Sequence, residues 1–579
     1  MSERIFIGVA WPYANGPLHL GHIAGADLAA DIFARYHRLK GNEVLMVSGS
    51  DQHGTPITLK AEQEGKTPRE IIDFYQREYL DCWQKLGISF DLYTGTDTRN
   101  HAEVTQDIFL RLLEKGYLYR NTVSQLYCPK CQRFLPDRYV EGTCPFCLTP
   151  GARGDQCDAC SKPMNTTDLI DPYCRICKTK PVAKESEHFF LKLSAFQEKL
   201  EKWVEKQGRW RPNVAGFTRR YLKEGLRDRA ITRDIEWGVP VPVKGFENKR
   251  IYVWFEAVIG YLSASKQWAQ EIAGDKERWH DFWDEGKGAK SYYFMGKDNI
   301  PFHTIIWPAM LMGYEGLNLP YDVPANEFLT IEGRRISTSR NWAVWLPDYL
   351  SRYDPDPLRY MLSINMCETS DTDFSWREFV RRNNDELVAT YGNLVNRVLT
   401  ITYRNFDGKV PEHSKYNEIR EYLESLDPKK DLGKTNILDE SSMNVIEEAK
   451  EFLFRTAGDF ISKCEFKQAL LHIMNFAQYT NQYLDKKAPW KVIKENKQTA
   501  ADSLYIAIHA ISYLKTALYP FLPFSSQKVH EYLGFEGKVE NFGWQPQLVT
   551  PGQKLREPKP LYTKLDESII EEETRRIGT

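Results

Sequence analysis

Eight of the chain's eleven cysteines fall into four Cys-x-x-Cys pairs between residues 128 and 177: Cys128/Cys131, Cys144/Cys147, Cys157/Cys160 and Cys174/Cys177. Spacers of 12, 9 and 13 residues separate the pairs. Two thiolates on one tight turn reach a single metal ion, and two such turns complete a closed tetrahedral site. Four pairs therefore predict two zinc ions, structural and not substrate-binding. They staple a segment whose Gly/Asp/Pro-rich spacers and weak periodicity give it little core of its own. Disulfides are the expectation for a small exported chain. Here no signal-peptide pattern precedes the strand-like N-terminus, and four pairs in a row fit metal knuckles better than a redox motif. Spacing leaves the pairing open, since sequential, nested and crossed arrangements all close modest loops. Cys82, Cys367 and Cys464 are scattered and read as ordinary buried residues.

At 579 residues the chain is too long for one core, and 42% hydrophobic with 27% charged residues is the composition of a soluble globular enzyme. No apolar run is long enough to predict a membrane span. A net charge of -2 argues against general affinity for polyanions, so any nucleic acid must meet a local basic patch. "RIFIGVA" (4–10) and "EVLMVSGS" (43–50) read as buried strands, and 23–40 and 68–86 as helices. That alternation predicts a parallel α/β sheet. The pattern lapses near 120 and is expected to resume near 250 with "IYVWFEAVIGYLSAS" and then "SYYFMGKDNIPFHTIIWPAMLM". An Arg/Ser-rich loop, "EGRRISTSRN", follows. Residues 380–535 are helix-rich, with a polar surface excursion at 408–440, and the last forty residues read as a linker ending in a short charged helix.

Between the first strand and the first helix stands "PYANGPLHLGH", Pro12 to His22. A helix N-terminus at the carboxyl end of a parallel strand presents free N–H groups and a partial positive charge, which suits phosphate. Gly16 and Gly21 allow close backbone approach. His19 and His22, three apart, face one ligand if the helix begins there, and histidines donate to phosphate oxygens without a permanent charge.

His19-Leu20-Gly21-His22 resembles the His-Ile-Gly-His signature of the class I aminoacyl-tRNA synthetases. "PYANGPLHLGH", "DQHGTPI", "LYCPKCQRFLPDRYVEGTCPFC", "SEHFF", "YVWFEAVIGY", "GKDNIPFH" and "KKAPW" occur in that order. The ordered set, over roughly residues 4–535, is similar to the methionyl-tRNA synthetases. The resemblance implies a Rossmann-type parallel-sheet catalytic domain with a zinc-knuckle insertion, followed by an α-helical anticodon-binding domain. The implied division is 1–115 and 226–325 for the two catalytic halves, 116–225 for the insertion and 326–380 for the signature loop and connector. Residues 381–540 would be the helical domain and 541–579 a linker and short helix.

The implied reaction is ATP-dependent activation of methionine to methionyl-adenylate, then transfer to the 3′ end of tRNA(Met), including the initiator. His19 and His22 would hold the phosphates of ATP, which comes with Mg²⁺. Asn15, Gly21, Gly296 and Asp298 would complete the nucleotide site, Asp298 facing the ribose hydroxyls. Asp51 would hold methionine's ammonium, and Ala10, Trp11, Tyr13, Trp254, Tyr261, Phe302 and His303 would surround its side chain, because a thioether accepts hydrogen bonds weakly and packs well on rings. The resemblance favours one zinc site of Cys144, Cys147, Cys157 and Cys160, which leaves Cys128, Cys131, Cys174 and Cys177 for the other. In the helical region, Asn393 and Arg397 would contact anticodon bases, and Pro489-Trp490 would supply a stacking surface. A cytoplasmic monomer without a membrane anchor is expected.

The chain departs from the family pattern in places. Where the family's second ATP loop reads Lys-Met-Ser-Lys-Ser, this chain reads Arg335-Ile336-Ser337-Thr338-Ser339. The first cation is kept as Arg335. The second becomes the uncharged Thr338, so Arg335, with Arg334 or Arg340, is expected to stabilise the leaving pyrophosphate. Trp11 stands where an aliphatic residue is usual, Val258 replaces a proline, and Asn299 stands where an apolar residue is common.

Overall fold

The computed structural model describes residues 2–136, 139–154, 157, 159–160, 164, 166–424 and 438–578. Its central sheet has five parallel strands: β1 (Arg4–Val9), β2 (Glu43–Ser50), β3 (Leu92–Gly95), β4 (Lys290–Gly296) and β5 (Ala325–Asn326). They lie in the order β5-β4-β1-β2-β3. Alternate side chains enter two cores. Ile5, Ile7, Val9 and Met46 join one, and Phe6, Leu45 and Val47 join the other. A sheet buried on both faces needs such continuous apolar runs. The order reverses at β1, which leaves a crevice at the carboxyl ends of β1 and β4, where open α/β sheets bind ligands.

The helix after β1 begins at Leu20, on the histidine motif, and continues through a π turn, Ile23–Asp27, into Leu28–Leu39. The expectation that the sheet resumes with "IYVWFEAVIGYLSAS" is corrected. Within that run, Arg250–Ile251 pairs antiparallel with Thr232–Arg233, whereas Val253–Glu256, Ala257–Ile259 and Gly260–Glu271 are helical. Residues 260–265 are all buried between β2, β3 and the helix Arg99–Glu114, and a helix wrapped in this way shows no polar face to betray its period.

The insertion is built on a long antiparallel pair, Leu118–Cys128 with Val182–Leu191. Beyond it lies a small cluster around Leu126, Leu135, Tyr139, Val140 and Leu169, into which the first cysteine of every pair is buried. The Arg/Ser loop hangs from a three-stranded sheet of Leu329–Ile331, Arg334–Arg335 and Thr372–Phe374.

The helical half shares one continuous core with β1 and its helix. At their junction Arg359, wholly buried, donates to Asp31 Oδ2 at 2.6 Å, Phe521 O at 2.8 Å and Pro520 O at 2.9 Å, while Arg35 donates to the Tyr519 hydroxyl at 2.9 Å. Of the polar excursion, Tyr416–Glu424 is a helix, and 425–437 lie outside the described residues. The tail ends in the expected charged helix, Ser568–Arg576, whose Glu573 is buried and accepts from the Tyr353 hydroxyl at 2.8 Å. Among the described residues no helix is long and apolar enough to cross a membrane.

Candidate active site and metal centres

His19 caps the helix that His22 enters. The Gly21 N–H donates to His19 Nδ1 at 3.1 Å, and the His19 N–H donates to His22 Nδ1 at 3.2 Å. With both Nδ1 atoms acting as acceptors, the ring protons sit on Nε2, available to a ligand's oxygens. Burial, with the neighbouring His22, holds His19 well below the usual imidazole range, and burial lowers His22 to about 4. Both are therefore neutral donors near pH 7. The preceding loop is pinned by the Tyr79 hydroxyl, 2.8 Å from Tyr13 O and 2.5 Å from Gly16 O, and Asn15 lies half-buried on it.

Beside the histidines is an aromatic slot. His303 Nδ1 lies 2.9 Å from the Asn299 carbonyl, which only accepts, so Nδ1 carries the proton and Nε2 accepts from the Tyr261 hydroxyl at 2.8 Å. The His303–Tyr261 pair is thereby satisfied internally, and burial lowers His303 to about 4. The residue at 299 serves through its backbone carbonyl, so its polar side chain does not disturb the pair. Trp254 donates to the Tyr13 hydroxyl at 2.9 Å and packs edge-on against Phe302, with ring centroids 5.3 Å apart. Trp11 lies edge-on to Tyr261, and its ring needs two glycines: a Cβ on Gly49 would stand 2.6 Å from Trp11 Cζ3, and one on Gly260 2.8 Å from Cζ2. Ala10 closes the β1 end, its N–H donating to Phe294 O at 3.0 Å. Val258 is buried in the apolar cluster behind the slot.

Asp51 continues β2, and its backbone bonds Pro12 O and the Ala14 N–H at 2.8 and 2.9 Å. Its carboxyl is 4% exposed, and burial and the Glu256 carboxylate push it well above the usual carboxylate range. His53 and Glu256, which sequence reasoning did not single out, lie behind it and hydrogen-bond each other at 2.8 Å. Both stood in the quoted motifs "DQHGTPI" and "YVWFEAVIGY", but nothing local signals that residues 203 apart meet.

The Arg/Ser loop is docked on the histidine motif. Leu346 N–H donates to Leu18 O at 2.7 Å, Leu20 N–H to Val344 O at 3.2 Å, and Ile336 Cδ1 sits 2.8 Å from where a Gly21 Cβ would stand. Arg334, Arg335, Thr338 and Arg340 are exposed, and Ser337 is half-buried. Ser339 follows on the same turn, its side chain outside the described set. Arg334 lies over the Trp342 ring at 4.6 Å. Gly296 closes β4, and Asp298, exposed on the turn Lys297–Asn299, is raised by partial desolvation and pulled down by Lys297 and Arg335.

The eight cysteines form two sets, Cys128/Cys131/Cys174/Cys177 and Cys144/Cys147/Cys157/Cys160, with the sulfurs of each set within 4.8 Å of one another. This is the nested arrangement. Closest pairs are 3.4 Å (Cys128–Cys177) and 3.6 Å (Cys147–Cys157), far beyond a disulfide bond and close to the ~3.8 Å edge of a tetrahedron with ~2.3 Å zinc–sulfur bonds. Thr149 and Thr179 pull Cys147 and Cys177 down to about 6, so each set holds a thiolate near neutrality. Four sulfur donors and no oxygen or nitrogen suit a closed zinc site.

In the helical half, Arg397 and the exposed Asn393 share one face of the helix Asn393–Asn405. The Arg397 guanidinium lies 4.4 Å over the half-buried Trp490 ring and bonds Asp485 at 3.0 Å. Pro489 is buried at the first position of the turn Pro489–Val492, after Ala488 at φ 43°, so it aims the chain that carries Trp490.

Residues 5–399 match the family described as "tRNA synthetases class I (M)", and 436–579 match "Anticodon binding domain of methionyl tRNA ligase". The chain is 59% identical over 578 residues to the methionine–tRNA ligase of Dehalococcoides mccartyi, covering 100% of both chains. It is 50% identical over 604 residues to that of Thermomicrobium roseum, covering 100% of this chain and 99% of the other. In fold it is similar to Mycobacterium tuberculosis methionyl-tRNA synthetase in complex with methionyl-adenylate, with a TM-score of 0.76, 23% identity, and 97% and 100% of the two chains covered. The chain belongs to the methionine–tRNA ligase family of class I synthetases.

Proposed function

We propose that the chain activates methionine with ATP and transfers it to the 3′ end of tRNA(Met), initiator included. One observation carries this reading: a neutral histidine pair with both Nε2–H groups free to donate, on a chain whose aromatic cluster holds a Tyr261–His303 pair that has spent its own hydrogen bonds. His19 and His22 donate to ATP phosphates, with Asn15, Gly21 and Gly296 lining the nucleotide and Asp298 accepting from the ribose. The slot of Ala10, Trp11, Tyr13, Trp254, Tyr261, Phe302 and His303 takes the side chain, and Asp51 takes the ammonium. Methionine's carboxylate then attacks the α-phosphorus and pyrophosphate leaves. The chain supplies position and charge, not a nucleophile. Arg335, on the loop with Ser337, Thr338 and Ser339, meets the leaving charge, and Mg²⁺ travelling with ATP supplies countercharge. The 3′-terminal ribose hydroxyl of tRNA then displaces AMP. A cleft of about 780 Å³, lined by Arg227, Arg229 and Arg233 with Asp168 and Asp228 among them, reaches Trp254 and Phe302 and is the approach this reading gives the tRNA end.

Two zinc ions would hold the insertion, which we place at 116–225 between catalytic halves 1–115 and 226–325. The loop and connector take 326–380, the helical domain 381–540 and the tail 541–579. Asn393, Arg397 and Trp490, aimed by Pro489, read the anticodon. The protein works as a cytoplasmic monomer.

The test is amino-acid-dependent ATP–pyrophosphate exchange with each of the twenty amino acids. Exchange with methionine alone is expected. Exchange with another amino acid would discard the slot assignment, and none at all from a zinc-loaded sample would make the chain a tRNA binder without catalysis.

A further inference from the structure

Behind Asp51 lies a charge arrangement that the reaction as described does not use. Glu256 is fully buried, and His53, 3% exposed, meets it through its ring while its backbone N–H donates to Asp51 Oδ1 at 3.4 Å. His53 Nδ1 is 2.8 Å from Glu256 Oε1, and its Nε2 is 3.4 Å from Asp97 Oδ1. An ionised carboxylate only accepts, so both ring nitrogens carry protons and His53 is an imidazolium. Burial opposes that charge, but the Glu256 and Asp97 carboxylates outweigh it and lift His53 to about 10. Glu256 Oε2 is buried without a hydrogen-bond partner, with His101 Nε2 3.8 Å away. His101 is held below its usual range by burial. From the outer side Arg69 bonds Asp97 at 2.5 Å, and the uncharged Trp237 ring packs edge-on against His53.

Once Asp51 is ionised, three carboxylates (Asp51, Glu256 and Asp97) face two cations, His53 and Arg69, and Arg69 is shared with the exposed Asp73 at 3.2 Å. Two neighbouring buried carboxylates do not both ionise unless a cation lies with them. We propose that His53, held protonated by Glu256, is a positioning residue whose charge eases the ionisation of Asp51, and that with Asp51 ionised the pocket is short of one positive charge, which the ammonium of an α-amino acid supplies. This rests on the reading of Asp51 as the ammonium's partner. It assigns the selectivity for a protonated amine to residues that never touch the substrate.

The experiment compares two inhibitors of methionine-dependent exchange: methioninol, which keeps the ammonium, and 4-(methylthio)butanoate, which lacks it. In His53→Gln, methioninol is expected to weaken about tenfold, the equivalent of one pKa unit, with 4-(methylthio)butanoate unchanged. The acid limb of kcat/KM for methionine moves to higher pH. Adding Glu256→Gln removes the uncompensated anion, so the double variant should bind methioninol more tightly than His53→Gln alone. Asp97→Asn, at the edge of the network, gives a weaker shift in the same direction and serves if His53→Gln does not fold. Equal weakening of both inhibitors, or a double variant worse than the single, would overturn the proposal. Asp51→Asn separates the two readings. If it leaves methioninol binding intact, the Asp51 assignment falls and this proposal with it. If it abolishes binding while neither His53→Gln nor Asp97→Asn alters it, this proposal falls alone.

Discussion

The imidazoles of His19 and His22 lie face to face, 3.8 Å between centroids and 19° from parallel. Stacked rings at this distance are tolerated because neither is charged. His22→Asn keeps an acceptor near Nδ1 and loses the Nε2 donor, so exchange should fall about 10²- to 10³-fold with little change in Tm. With His22 lowered from 6.5 to about 4, its contribution to stability is complete above 6.5 and is lost as pH falls through 4. Exchange should show no limb from these rings between pH 6.5 and 8, which a pH–rate profile checks.

On the proposed reading, in which Arg335 meets the leaving pyrophosphate, Arg335→Ala should reduce exchange about 10²-fold or more, whereas Thr338→Ala should stay within about threefold. Steady-state exchange kinetics of the two variants decide this. The reverse ranking would give the second loop's work to Thr338.

Trp11 and Gly260 make a paired constraint. Gly260→Ala drives a methyl into the indole and should cost about 1–3 kcal/mol in urea unfolding. Trp11→Leu should relieve it. The same second change should not rescue Gly49→Ala, whose Cβ would also stand 2.6 Å from the Thr94 carbonyl oxygen.

Elemental analysis should find two zinc ions per chain, and Cys177→Ala should leave one. Acidification should release metal as the thiolates protonate. Chelation should expose the insertion to protease before the central sheet, since the insertion's small core contains the ligands themselves.

Arg397→Ala and Trp490→Ala should raise the KM for tRNA by about tenfold or more while leaving pyrophosphate exchange unchanged, because stacking on one base is worth ~1–3 kcal/mol. Aminoacylation and exchange, run side by side, give the contrast.

Much of the architecture was legible where local chemistry states it. The helix Pro68–Leu86 has both ends written in sequence, by the Thr67/Glu70 capping box and by Gly87 at φ 74°. The nested cysteine sets match the arrangement that the resemblance favoured. What stayed hidden was long-range. Within the helices of 253–271, residues 260–265 are buried on every side and show no polar face to mark a period. Trp11 looked anomalous because the glycines that accommodate it lie 38 and 249 residues away, at Gly49 and Gly260. The His53–Glu256 pair joins two motifs that are each readable alone.

The buried contact of Arg359 with Asp31 has a mechanical consequence. Asp31 lies on the helix that grows out of the histidine motif, and Arg359 also grips the carbonyls just past the long helix Lys497–Leu518. Sliding one half of the molecule against the other would strand an ion pair in a dry interior, which costs several kcal/mol. The interval between the His19–His22 pair and the Trp490 ring is therefore set when the chain folds. A bound nucleic acid meets a caliper of fixed opening, and its own length and bend decide whether both ends can seat at once.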